Sequence, residues 1–134
     1  MRRAFDDAKE EVMTAGERAT QIWPVLALAA KNRQVLTYDL LAQLISVPRF
    51  GLGKLLEPIQ SYCLVNDLPP LTILVVGGDT GMPGEGFIAA HDIPRHQAAV
   101  FAKNWLALGC PTPDLFDRAV RERPSNRVPE AVHV

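Results

Sequence analysis

The chain has 134 residues, 48 % hydrophobic and 22 % charged, with a formal net charge of −1. One ordinary globular domain fits that length and composition, and two would each be too small to bury a good core. A near-neutral total excludes a global basic field, so any contact with nucleic acid needs a local patch of cations.

Cys63 and Cys110 have no CxxC or CxxH neighbour, which argues against a disulfide framework and against structural zinc. The start Met1-Arg2-Arg3-Ala4-Phe5-Asp6-Asp7 lacks the apolar core of a signal peptide, and the apolar window 25–30 is too short to span a bilayer. A cytoplasmic protein with reduced thiols and no membrane partner is the expectation.

In chain order, residues 3–18 are rich in Ala, Glu, Asp and Lys and predict a solvated helix with a thin apolar face. Thr20 reads as the N-cap of a helix over 21–32, with Pro24 in its first turn and Ile22, Val25, Leu26 and Ala29 on its inner face. Val35-Leu36 is an extended link or a single bridge. Thr37 caps a helix over 38–46 with an inner stripe of Leu40, Leu41, Leu44 and Ile45, and Pro48 marks the turn after it. Phe50 to Leu56 is a second short helix. Its Gly51 and Gly53 cost about 1 kcal/mol each against alanine, which suggests close approach to another backbone.

Pro58 predicts an interruption, so that residues 57–68 form a separate insert ending in the loop 66–70. Leu71 to Val76 is the best strand, buried on both faces. Gly77 to Gly86 reads as a tight hairpin, with residues 87–90 as the returning partner. Ile93-Pro94 opens a helix over 95–108 whose face carries Ala98, Phe101, Ala102 and Trp105, and Gly109 ends it. The proline-rich remainder, with a short docking segment at Leu115-Phe116, reads as a flexible tail. Three pieces result: an N-terminal helical extension (1–19), a central domain (20–109) and the tail (110–134).

The central order resembles the C-terminal domain of the alkylguanine-DNA alkyltransferases and their alkyltransferase-like relatives. Ile22-Trp23-Pro24-Val25-Leu26 resembles that family's apolar-Trp helix start, and Thr37-Tyr38-Asp39-Leu40-Leu41-Ala42 its Thr-Tyr-Gly-Glu-Ile-Ala motif. Pro48 to Leu56 is similar to its turn and recognition helix, and Gly78 to Phe87 to its glycine-rich hairpin ending in Gly-Phe. The resemblance covers roughly residues 21–87. It implies a mostly α, α/β fold: a winged helix-turn-helix with a small β-hairpin wing and flanking N- and C-terminal helices.

The departures fall on the chemistry. Leu71, Thr72 and Ile73 stand where the family keeps its reactive Cys, His and Arg, so thiolate alkyl transfer is not expected. Phe50 stands at the family's DNA-intercalating Arg, and Arg49 lies one residue away. What remains is a non-catalytic module without cofactor or metal, binding double-stranded DNA through Arg33, Thr37, Tyr38, Arg49, Phe50 and Lys54. The alternative is a protein-interaction or inhibitor module on the same scaffold.

Other candidates read as structural. Cys63 lies on an apolar face beside Ile59 and Tyr62 and reads as a buried, inert thiol. His91, Asp92 and His96 lack an evident third ligand for a metal. The run from Gly77 to Gly84 lacks the Gly-Lys-Ser/Thr ending of a phosphate loop.

Overall fold

The computed structural model describes residues 13–84, 87 and 91–123, and they are mostly helical, with one two-stranded parallel sheet. The first helix, α1 (Ala15–Lys31), starts at a capping box. Thr14 Oγ1 accepts from Glu17 N at 3.0 Å, while Thr14 N donates to Glu17 Oε1 at 2.9 Å. The start expected at Thr20 is therefore wrong. Thr20 lies inside the helix, its hydroxyl donating to the Glu17 carbonyl at 2.6 Å, and α1 crosses the expected boundary between residues 19 and 20. The expected N-terminal helix falls, up to residue 12, outside the described residues.

Pro24 lies in the middle of α1 rather than in its first turn. An interior proline costs about 3 kcal/mol through its lost N–H and its clash with the preceding turn. Ile22, Trp23 and Leu26 are all buried on this helix, each worth about 1.5–3 kcal/mol, and that burial outweighs the proline. The helix ends on Arg33, which has φ of 55°. Its N–H donates to Ala30 O at 3.0 Å, and Gln34 N donates to Ala29 O at 2.9 Å. This is the left-handed C-terminal motif that usually employs glycine.

β1 (Leu36–Thr37) leads directly into α2 (Tyr38–Ile45), which Thr37 caps through its side-chain oxygen. Leu41, Ala42 and Ile45 face inward, whereas Leu40 and Leu44 of the expected inner stripe are exposed. A 3-10 turn (Arg49–Gly51) leads into α3 (Leu52–Val65), which runs straight through Pro58. The predicted interruption and insert are thus one continuous helix. Leu56, Ile59 and Cys63 are buried along it, and their burial holds the proline in place.

The expected six-residue strand is a 3-10 turn (Leu71–Leu74) followed by β2 (Val75–Val76). All six residues are buried, so hydrophobicity predicted the location and missed the conformation. Pro69-Pro70 starts the turn, with Ile73 N donating to Pro70 O at 3.0 Å. β2 runs parallel to β1, pairing Leu36 with Val75 and Thr37 with Val76. After β2 the chain folds back at once: Gly77 N donates to Met82 O at 2.9 Å, and Val76 forms an antiparallel bridge with Pro83. The return is made by Pro83, and of the expected partner 87–90 only Phe87 lies among the described residues.

The predicted helix over 95–108 is two. Asp92 caps α4 (Ile93–Ala102), Lys103 breaks it in an extended conformation, and Asn104 caps α5 (Trp105–Leu108). Val100 and Trp105 carry the burial, Phe101 is half-buried and Ala102 is exposed. Within the stretch expected to be a flexible tail, Thr112 caps α6 (Pro113–Glu122), and that helix buries Phe116 and Ala119. α1 touches α3, α4, α5 and α6. Around Trp23 the rings of Tyr62, Trp105 and Phe116 sit with centroids 5.8, 5.6 and 5.7 Å away. Such pairs add about 0.5–1.5 kcal/mol each beyond buried area.

Candidate nucleic-acid interface

The six residues expected at the interface divide into three groups. Thr37 and Tyr38 lie at the start of α2, which Thr37 is committed to capping, and Arg49 and Phe50 lie in the 3-10 turn before α3. Lys54 lies in the first turn of α3 and is exposed. Arg33 closes α1, and its guanidinium lies 5.9 Å from the centroid of the Phe101 ring, a stacking role that needs no nucleic acid.

The start of α3 has the composition of an anion-facing helix end. Its N-cap is Gly51, with no side-chain cap hydrogen bond and no acidic residue in the first turn. Gly51 N and Leu52 N donate to the Pro48 and Arg49 carbonyls of the preceding 3-10 turn, so what the helix start itself supplies is the partial positive charge of the macrodipole. Gly51 and Gly53 have nothing within 4 Å of where a Cβ would stand, so internal crowding, the reason expected for them, is not the cause of either glycine. The space beside them is open. Phe50, next in the chain to Gly51, has 92 % of its surface exposed.

Arg49 is the better-fixed cation. Its Nε donates to Asp39 Oδ1 at 2.9 Å, and its guanidinium carbon lies 5.9 Å from the Tyr38 ring centroid. Tyr38 is tied in turn to the segment after β2, because its hydroxyl accepts from Gly84 N at 3.1 Å. A Cβ at Gly84 would run into the Tyr38 hydroxyl, so a larger residue there requires the Tyr38 ring to shift. Neither the Asp39–Arg49 pair nor the Tyr38–Gly84 hydrogen bond has a local sequence signal.

Behind this surface a cavity of about 30 Å³ is lined by Tyr38, Gly53, Leu56, Gln60, Thr72, Pro83 and Phe87. One or two waters fit such a volume; a nucleobase does not. Thr72 is 4 % exposed, and its hydroxyl has no protein partner. Leu71, standing where the resembling family keeps its nucleophile, is completely buried.

Cys63 shares a pocket of about 340 Å³ with Asp67 and His96. Burial pushes its thiol up to about 12, against a weaker lowering effect of a hydrogen bond with the Leu71 backbone. It is therefore a protonated thiol at neutral pH, unsuited to nucleophilic attack. Cys110 is exposed. A thiol-specific alkylating reagent should modify Cys110 in the native protein and Cys63 only after denaturation. Mass spectrometry of the native and denatured reactions reads this directly, and rapid native labelling of Cys63 would contradict its burial.

Among the described residues there is no cluster of three His, Cys, Asp or Glu that could hold a metal ion, and no helix is long and apolar enough to cross a membrane. Comparison with protein-family models, with curated proteins and with solved structures returned no match.

Proposed function

We propose that this chain is a non-catalytic DNA-binding module of the winged helix-turn-helix type, with α2 and α3 as the helix-turn-helix and the start of α3 facing DNA. The observation that carries the reading is Phe50, 92 % exposed between Arg49 and Lys54 at a helix start without a side-chain cap. Cations and the positive end of a helix dipole suit phosphate oxygens, and glycines allow a phosphodiester backbone to approach closely. Support for the winged form comes from the order α2, turn, α3, β2, and from the return after β2 that reaches Tyr38 through Gly84. The two free thiols suit a cytoplasmic location.

The test is fluorescence anisotropy on a labelled mixed-sequence duplex as a function of salt. Binding should weaken as salt rises, and Arg49→Gln and Lys54→Gln should each reduce the slope of log K against log salt by about 0.9. Absence of binding by micromolar protein at low salt would end this reading.

A protein-interaction module is the second reading, favoured by Leu40, Leu44 and Phe50, which are 42 %, 56 % and 92 % exposed. Under it, a defined partner is lost on Leu44→Ala but retained on Arg49→Gln, the opposite of the DNA pattern.

A further inference from the structure

We infer that Asp39 is a built-in competitor for Arg49 that holds down the affinity of the module for DNA. This rests on reading the start of α3 as the DNA-facing surface and adds a means by which that surface is regulated. The geometry is specific. Arg49 Nε lies 2.9 Å from Asp39 Oδ1, and the guanidinium is held 5.9 Å from the Tyr38 ring centroid. The two side chains are 56 % and 76 % exposed, so the pair is open to solvent and within reach of a partner.

A phosphate oxygen and the Asp39 carboxylate are the same kind of acceptor for a guanidinium. Arg49 has five N–H donors in a planar fork, and the direction taken up by Asp39 is lost to a bidentate phosphate contact. An exposed ion pair is weak in water, so DNA can displace it. Asp39 thus acts as a brake of limited strength, weakening binding wherever Arg49 cannot be drawn away fully.

Asp39 occupies the first turn of α2, where a carboxylate also favours the helix dipole. Asn at this position keeps the shape of the side chain, so Asp39→Asn removes the charge with little disturbance to the helix.

The experiment compares four proteins, wild type, Asp39→Asn, Arg49→Gln and the double variant, on one labelled duplex between about 50 and 200 mM salt. Asp39→Asn should tighten binding about two- to fivefold at each salt concentration and leave the salt slope unchanged, because Arg49 already neutralises one phosphate in the wild type. In the Arg49→Gln background the same substitution should change neither quantity measurably. Without DNA, the Arg49 Nε–Hε resonance should shift on Asp39→Asn as its charged acceptor becomes a neutral amide oxygen. Equal tightening in both backgrounds would mean that Asp39 is only a distant negative charge, and would overturn the inference. Unchanged affinity on Asp39→Asn, or an unmoved Arg49 resonance, would overturn it too. Absence of binding by all four proteins would instead remove the DNA-binding reading beneath it.

Discussion

Phe116→Ala should destabilise the protein by about 3–5 kcal/mol, the usual cost of emptying a buried phenylalanine site. The Phe116 ring is completely buried and lies 5.7 Å from both Trp23 and Tyr62, centroid to centroid. Its removal leaves two large rings without a neighbour on one side, and neither can collapse into the gap without leaving its own contacts. Urea unfolding followed by tryptophan fluorescence should show a lower midpoint with an unchanged m-value. A loss below about 1 kcal/mol would mean that α6 is not docked in solution.

Gly16→Ala should also destabilise, by about 1–3 kcal/mol, although helix propensity alone points the other way. Alanine is favoured over glycine within a helix by about 1 kcal/mol. A Cβ on Gly16, however, would stand 2.5 Å from the Pro113 carbonyl oxygen and 2.9 Å from Asp117 Oδ1. The carboxylate can rotate away; the carbonyl belongs to the backbone of the first turn of α6 and cannot. Steric cost therefore wins, and α6 must shift outward. Because Phe116→Ala loosens the same helix, the two substitutions should combine to less than the sum of their separate effects. A stabilised Gly16→Ala variant would show that α1 and α6 are further apart than the structure has them.

Much of this fold was legible in local signals, and the errors have identifiable causes. Thr37 announced α2, and its cap geometry agrees. Thr14 announced α1 just as clearly, since Thr14-Ala15-Gly16-Glu17 spells a capping box, but Pro24 drew attention to Thr20 instead. Pro58 was read by its usual role as a breaker, and burial of Leu56, Ile59 and Cys63 overrode it. Leu71 to Val76 was recognised as core, yet a continuous apolar run does not specify a strand, and β1 offers only two residues for pairing. Thr112-Pro113 carried the ordinary signature of a helix start, masked by the prolines around it.

The candidate site was legible as a set of residue types and not as an arrangement. Arg49, Phe50 and Lys54 were chosen by their place in the chain, and all three are exposed. Arg33 could not be separated from them, because nothing local reveals a left-handed residue that stacks on Phe101. The Asp39–Arg49 pair and the Tyr38–Gly84 hydrogen bond cross a turn and a sheet, and only the folded backbone brings those partners together.

The docking of α6 on α1 has a consequence for how the chain is made. Synthesis runs from the N-terminus, so Trp23 and Tyr62 emerge long before Phe116 exists to cover them. Until the last described helix has been produced, the aromatic face is incomplete, and the nascent chain carries an apolar surface that its own later residues must seal. Cooperative folding thus waits for nearly all of the described sequence, and the segment that resembles a dispensable tail acts as the closing piece.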